Sequence, residues 1–137
     1  MKRNVTGICA LLFALAIGAV AADSPIYSAS AGPHRVLTID QLVLHDAARN
    51  KDLPLKIYYP EGAGPFPVIV FSHGLYGSKD TYWALGQYWA SYGYACIHPS
   101  HADSRQDSGY HGTLRQAIAD PGLWRSRPKD ISFVIGI

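Results

Sequence analysis

The chain has 137 residues, enough for one domain of ordinary size. Of its 12 basic residues, Lys2 and Arg3 lie in an N-terminal segment without acidic residues, so ten residues of each sign remain beyond it. The balanced remainder has no basic cluster, which argues against a nucleic-acid-binding protein.

The N-terminal segment has the pattern of a secretory signal peptide. The two basic residues are followed by an apolar run over residues 8–20, and residues 19–21 form an A-x-A cleavage site. This run is shorter than the roughly 20 apolar residues of a membrane-spanning helix. We therefore predict a signal peptide at residues 1–21, a leader at 22–34, and a secreted or periplasmic protein with no integral membrane segment after cleavage.

Two strands begin the domain, which we place at residues 35–137. Residues 35–44 alternate partly between apolar and polar, as in a half-exposed antiparallel strand. Leu55–Tyr59 forms a second short β-rich stretch that ends at Pro60. The polar turn over residues 46–52 predicts that the two strands form a hairpin.

A strand, a helix and another strand follow with short connections. Residues 67–71 are continuously apolar and β-branched, which predicts a strand buried on both faces of a parallel sheet. A second such strand spans residues 94–98 and ends at Pro99. This βαβ unit predicts a parallel pair with a right-handed crossover. The fold class is therefore α/β, with antiparallel lead-in strands before a parallel βαβ unit.

The crossover helix is predicted over residues 79–92, with Ser78 or Asp80 as its N-cap and Gly93 as its C-terminal stop. A stripe at helical spacing predicts the face that packs on the core. That stripe consists of Tyr82, Leu85, Trp89 and Tyr92.

The rest of the chain is less regular. Residues 100–125 are polar, with one short helix predicted at 113–119. An amphipathic helix is predicted to begin near Pro128, a favourable first-turn residue. Its apolar face contains Ile131, Val134 and Ile135.

The loop after the first buried strand reads Ser72-His73-Gly74-Leu75-Tyr76-Gly77-Ser78. A buried strand that leads through H-G-x-x-G into a helix resembles the start of an α/β-hydrolase. The chain is similar in particular to platelet-activating-factor acetylhydrolase and dienelactone-hydrolase-like esterases, from about Val36 to its end and including residues 124–130. The resemblance implies hydrolysis of a carboxylic ester or short-acyl lipid through an acyl-enzyme, without a cofactor or metal.

The resemblance also implies roles for three loop residues. The backbone N–H of Leu75 is one of the donors that stabilise the oxyanion formed when an ester carbonyl is attacked. Gly74 lets the backbone approach closely, since a Cβ would block the required angles. His73 shapes the loop through hydrogen bonds, and it is not the base, because the triad histidine follows the serine and the acid in chain order.

The nucleophile elbow is absent from the sequence. No serine has glycines two residues before and two residues after it, as G-x-S-x-G requires. The sequence therefore predicts the N-terminal part of an α/β-hydrolase domain, truncated before the elbow, with no triad and inactive alone. Two alternatives stay open: a complete but non-catalytic secreted module that binds a small ligand, and a dienelactone-hydrolase-like enzyme with a cysteine nucleophile at the missing elbow.

Two other groups of residues compete with the loop as sites. The segment after the second buried strand contains four potential metal ligands: His98, His101, Asp103 and His111. Zinc sites need three or four fixed ligands, so a solvated polar loop without metal is the preferred interpretation. Cys96 lies in an apolar strand and is predicted to be inert packing. Because Cys9 lies in the signal peptide, no intrachain disulfide is expected.

Overall fold

The computed structural model describes residues 30–136. Its elements in chain order are β1 Val36–Asp46, β2 Lys51–Pro60, β3 Val68–Val70, α1 Trp83–Ser91, β4 Ala95–Pro99, α2 Leu114–Ala119 and α3 Pro121–Ile135. The predicted signal peptide and most of the predicted leader lie outside the described residues. Among the helices at 30–136, none is long and apolar enough to cross a membrane.

The four strands form one mixed sheet in the order β1-β2-β4-β3. β1 and β2 pair antiparallel as the predicted hairpin, and β2 also pairs antiparallel with β4. β3 and β4 pair in parallel, with α1 between them in the chain. The described residues therefore form the mixed α/β arrangement that the hydrophobic pattern predicts.

Alternation along β2 supplies the core on both faces of the sheet, since successive side chains of a strand point to opposite faces. Leu53 and Leu55 pack with Val134 of α3. Tyr58, three residues further along, packs instead with Ala90 of α1 and with Cys96. One long helix therefore covers each face.

The prediction that the first buried strand is covered on both faces holds only in part. Ile69 and Val70 are half-buried and pack against the clusters on opposite faces of the sheet. Among the described residues β3 pairs with β4 alone and lies at the edge of the sheet, where Val68 is 59% exposed. An open apolar groove of about 580 Å³ runs between this edge and α3. Its lining consists of Val68, Val70, Ile97, Ile131, Val134 and Ile135.

The predicted start and cap of the crossover helix are wrong. α1 begins at Trp83, and its N-cap residue is Tyr82, with a left-handed φ of 62° and no capping side chain. Ser78 and Asp80 lie before the helix, next to and within a turn over residues 79–82. The Ser78 hydroxyl accepts the Asp80 N–H and donates to Gln106, and the Asp80 carboxylate pairs with lysines. Neither side chain therefore reaches the first free N–H groups of α1.

The predicted stripe of α1 meets the core only in part. Leu85 and Trp89 are half-buried, and Trp89 packs against the cluster of Tyr58, Ala90 and Cys96. Tyr82 and Tyr92 are 54% and 45% exposed, and the buried residues of the helix are Gly86, Ala90 and Ser91. A Cβ on Gly86 would lie 2.5 Å from a ring carbon of Tyr58. The helix therefore approaches the sheet closely through small residues, and Trp89 packs at the side of this contact.

The C-terminal helices differ in part from expectation. The short helix is confirmed as α2, with Thr113 as its N-cap in a capping box with Gln116. The amphipathic helix begins at Pro121, capped by Asp120, and not near Pro128, which lies inside α3. Pro121 and Pro128 are both compatible with the first turn of a helix. The helix begins at Pro121 because the carboxylate of the preceding Asp120 caps its N-terminus.

His98 is buried beneath α1, where the rings of Tyr58 and Phe71 lie 5.3 and 5.2 Å from its own. Neither ring nitrogen has a hydrogen-bond partner of good geometry within residues 30–136. Burial lowers the pKa of His98 to about 4. The imidazole is therefore neutral in the folded protein at pH 7.

We expect the free energy of unfolding to fall as the pH decreases from 6.5 to about 4, the unfolded and folded pKa values of His98. In this range the unfolded chain binds the proton and the folded protein does not, which gives a limiting slope of about 1.4 kcal/mol per pH unit. The buried His73 adds to the slope with the same sign, since its pKa is also lowered by burial. Asp80 and Asp130, with pKa values of about 2, act below this range.

The measurement is urea unfolding followed by circular dichroism at several pH values. His98→Leu should flatten the slope, because the group that titrates is removed. The exposed His111 provides the matched control, and His111→Leu should keep the wild-type slope. Identical slopes in wild type and His98→Leu would contradict the prediction.

Candidate active site

The C-terminal ends of β3 and β4 lie at the same edge of the sheet because the two strands are parallel. The loops that follow them, residues 72–78 and 100–110, therefore meet there. Hydrogen bonds join them, such as that from the His101 N–H to Nε2 of His73 at 3.0 Å. Ligand sites commonly form outside the carboxyl ends of parallel strands. We refer to residues 72–78 as the strand-end loop.

In the peptide group between Gly74 and Leu75, the carbonyl oxygen is hydrogen-bonded and the N–H is free. The Gly74 carbonyl accepts hydrogen bonds from the Gly77 N–H at 3.0 Å, from Nδ1 of His73 at 2.6 Å and from Arg127 at 3.4 Å. The Leu75 N–H of the same peptide donates to no acceptor in the part of the chain that the structure describes. In a trans peptide the C=O and N–H point in opposite directions. Fixing the carbonyl therefore fixes the direction of the free N–H.

His73 is 2% exposed and bonds at both ring nitrogens. Its Nε2 accepts the backbone N–H of His101 at 3.0 Å. Nδ1 must therefore carry the proton and donate to the Gly74 carbonyl. Burial lowers the pKa of His73, which favours this neutral form with one donor and one acceptor.

A Ser–His–Asp hydrogen-bond chain, which the sequence analysis did not predict, begins at the first residue of the strand-end loop. Ser72 Oγ lies 2.7 Å from Nε2 of His101, and Nδ1 of His101 lies 2.9 Å from the Asp130 carboxylate. His101 and Asp130 have fully buried side chains. Burial alone would raise the pKa of Asp130, but hydrogen bonds from His101, Lys51 and Arg49 lower it to about 2.

Arg127 of α3 contacts the same loop. One terminal nitrogen donates to the His73 carbonyl at 2.5 Å and the other to Oδ2 of Asp103 at 2.6 Å. Asp103 is 1% exposed and also accepts the Tyr76 N–H at 3.2 Å. Burial would raise the pKa of Asp103, but the hydrogen bond from Arg127 lowers it. The carboxylate and the guanidinium therefore form a buried ion pair behind the loop.

The interpretation of the 100–110 segment as a solvated polar loop is wrong. His98, His101 and Asp103 are each 1% exposed, and only His111 of the four potential ligands lies at the surface. Over residues 30–136, no three His, Cys, Asp or Glu side chains are grouped to hold a metal ion. The buried polar groups bind one another and α3, and the sequence contains no local indication of those partners.

Cys96 is buried in β4 as predicted. Burial raises the pKa of its thiol to about 11, so the thiolate required of a nucleophile is scarce at neutral pH. The structure thus assigns Cys96 to the core.

Comparison with known proteins gives two findings. A family model described as chlorophyllase matches residues 23–114, about two thirds of the chain and including the strand-end loop. A protein of Schizosaccharomyces pombe described as "Putative phospholipase A2" is 39% identical over 49 residues, which are 36% of this chain and 11% of that protein. The matched part of the chain therefore spans about a tenth of the length of this curated relative.

Proposed function

Because the chain belongs to the chlorophyllase family, we propose that it takes part in the hydrolysis of carboxylic esters, with the strand-end loop stabilising the oxyanion. The single observation that carries the proposal is the free Leu75 N–H on a peptide whose carbonyl has three donors. The similarity to a protein described as a phospholipase A2 supports an ester substrate.

The proposed chemistry follows from where charge develops. When a nucleophile attacks an ester carbonyl, the carbonyl oxygen becomes negative, and a donor already aimed at that position lowers the barrier. The three hydrogen bonds to the Gly74 carbonyl polarise its peptide, which strengthens the Leu75 N–H as a donor. Apart from its neighbours in the chain, no atom of the described residues lies within 4 Å of the position that a Cβ on Gly74 would occupy, so a substrate can approach the loop from that side. Gly74 does not have a positive φ, so the expectation that a Cβ would block the required backbone angles is wrong.

His73 and Gly74 have supporting roles in this proposal. His73 connects the His101 N–H to the Gly74 carbonyl through its two ring nitrogens, which supports a loop-shaping role. Its Nδ1 carries the proton of the bond to Gly74 and its Nε2 is occupied by a backbone N–H, so neither nitrogen is free to act as a general base.

The finer proposal is a serine hydrolase of the α/β-hydrolase type that acts on a carboxylic ester or short-acyl lipid. The mixed sheet with a helix on each face and the resemblance to platelet-activating-factor acetylhydrolase and dienelactone-hydrolase-like esterases support it. No G-x-S-x-G motif occurs in these 137 residues, so the proposal gives the chain the oxyanion donor and not an elbow nucleophile.

The test uses the protein expressed from its native gene, because the reaction needs a nucleophile and the proposal gives these 137 residues only the oxyanion donor. We expect saturable hydrolysis of p-nitrophenyl acetate and butyrate but not of p-nitrophenyl phosphate, because the donor is placed for an acyl carbonyl. A fluorophosphonate should inhibit the reaction, and Cys96→Ala should leave it unchanged. Carboxylic ester hydrolysis no faster than in a boiled sample would refute the proposal, whereas loss of activity in Cys96→Ala with the fold intact would make Cys96 itself the reactive group.

A further inference from the structure

We propose that Arg127 is the residue that positions the Leu75 N–H, and that the Ser72–His101–Asp130 chain braces the same loop instead of forming a catalytic triad. The inference rests on the proposed function of the strand-end loop. It assigns to α3 the task of holding the oxyanion donor in place.

The contacts of Arg127 suit this task. Its guanidinium donates to two successive carbonyls, those of His73 at 2.5 Å and Gly74 at 3.4 Å. It also donates to Ser72 Oγ at 3.2 Å and to Asp103 at 2.6 Å. A planar guanidinium presents several donors in a fixed geometry, which the single ammonium of a lysine cannot reproduce. Each carbonyl held in this way orients the N–H of the peptide to which it belongs.

Asp103 completes the attachment of the loop. Its carboxylate accepts hydrogen bonds from the guanidinium of Arg127 and from the Tyr76 N–H. Tyr76, the residue after Leu75, is therefore held in place as well. The Gly77 N–H is bonded to the Gly74 carbonyl. The Leu75 N–H is thus left free between the bonded Gly74 carbonyl and the bonded Tyr76 and Gly77 N–H groups.

The Ser72–His101–Asp130 chain has the proton arrangement of a triad. The carboxylate can only accept, so Nδ1 of His101 carries the proton and Nε2 accepts the Ser72 hydroxyl. In a triad the carboxylate also stabilises the imidazolium that forms. Here Arg49 and Lys51 approach Asp130 at 2.6 and 2.8 Å, so two cations already compensate its charge.

Burial and hydrogen bonding around His101 further oppose a general-base role. Its side chain has no exposed surface, so a leaving group has no access to the imidazole. Arg127 donates to Ser72 Oγ at 3.2 Å, so the hydroxyl oxygen is hydrogen-bonded on a second side. Both ring nitrogens of His101 have partners, Ser72 and Asp130, as a brace of the loop requires.

The test is amide hydrogen exchange, read by NMR on the whole protein. Arg127→Ala should speed the exchange of the Tyr76 and Gly77 amides at least about tenfold, since loop opening then costs less, with amides of β2 and β4 unchanged. Millimolar guanidinium ion should restore slow exchange, while Arg127→Lys should restore it only in part. The exposed Arg125 on the same helix is the matched control, and Arg125→Ala should have no effect.

Activity supplies a second readout. With p-nitrophenyl butyrate, Arg127→Ala should lower kcat and leave KM unchanged, because the donor acts in the transition state. Guanidinium ion should recover part of the lost kcat. The two readouts separate the two proposals. If the protein does not hydrolyse esters but Arg127→Ala still speeds amide exchange in the loop, the proposed function is refuted and the structural role of Arg127 is supported.

Three results would overturn the inference. Loop exchange that is unchanged in Arg127→Ala would show that other contacts hold the loop. Faster exchange throughout the sheet would assign Arg127 to global stability. Fluorophosphonate labelling of Ser72 that is lost in His101→Asn would make the hydrogen-bond chain a reactive site and not a brace.

Discussion

Replacing Asp130 with alanine should lower the free energy of unfolding by about 3 kcal/mol, near the lower end of the cost of breaking a buried ion pair. The carboxylate is fully buried and contacts Arg49, Lys51 and His101. Its removal leaves two cations facing each other and the Nδ1 proton of His101 without an acceptor. Arg49 and Lys51 remain 22% and 23% exposed, so water can solvate them in part, which sets the value at the lower end.

The measurement is urea unfolding at pH 7, compared between wild type, Asp130→Ala and a matched surface variant. Asp52 pairs with His45, but both side chains are more than half exposed, at 70% and 55%. Asp52→Ala should therefore cost no more than about 1 kcal/mol. Similar losses in the two aspartate variants would mean that the Asp130 cluster contributes no more than a surface pair.

The hydrophobic pattern predicted the sheet better than it predicted the helices. Strands are visible in the sequence because proline, glycine and polar turns delimit their apolar runs. The face of α1 was visible only in part, because a stripe rule assumes that large apolar residues meet the core. In the structure the ring of Tyr58 lies so close to α1 that only Gly86 fits over it.

The site was predictable only where it is local in sequence. H-G-x-x-G marks His73, Gly74 and Leu75 as a strand-to-helix loop, and no long-range partner is needed to recognise it. The partners of that loop come from elsewhere, since Ser72 and His101 are 29 positions apart and Arg127 lies 54 positions from His73. Single-sequence patterns carry no information on such pairs.

The same limit explains the error over the 100–110 segment. Polar residues usually indicate solvent exposure, and burial becomes favourable only when each polar group has a partner. His101 has Ser72 and Asp130, and Asp103 has Arg127. Both partners on α3 lie within the stretch 124–130, where the family resemblance was already evident but the contacts were not.

The largest expected effect on activity concerns Leu75, in the protein expressed from its native gene. Leu75→Pro should lower kcat for p-nitrophenyl butyrate by about 10²–10³, the cost of losing one oxyanion donor. Proline has no backbone N–H, so the variant removes the proposed donor itself. Leu75→Ala keeps the N–H and should retain most of the activity.

Proline also restricts the residue before it, here Gly74, so a loss of activity could come from a distorted turn. Amide exchange separates the two causes. If the Tyr76 and Gly77 amides in Leu75→Pro exchange as slowly as in wild type, the turn is intact and the loss belongs to the missing donor. A comparable loss of kcat in Leu75→Ala and Leu75→Pro would instead assign the effect to the leucine side chain, which is half-buried, and would remove the free N–H from the mechanism.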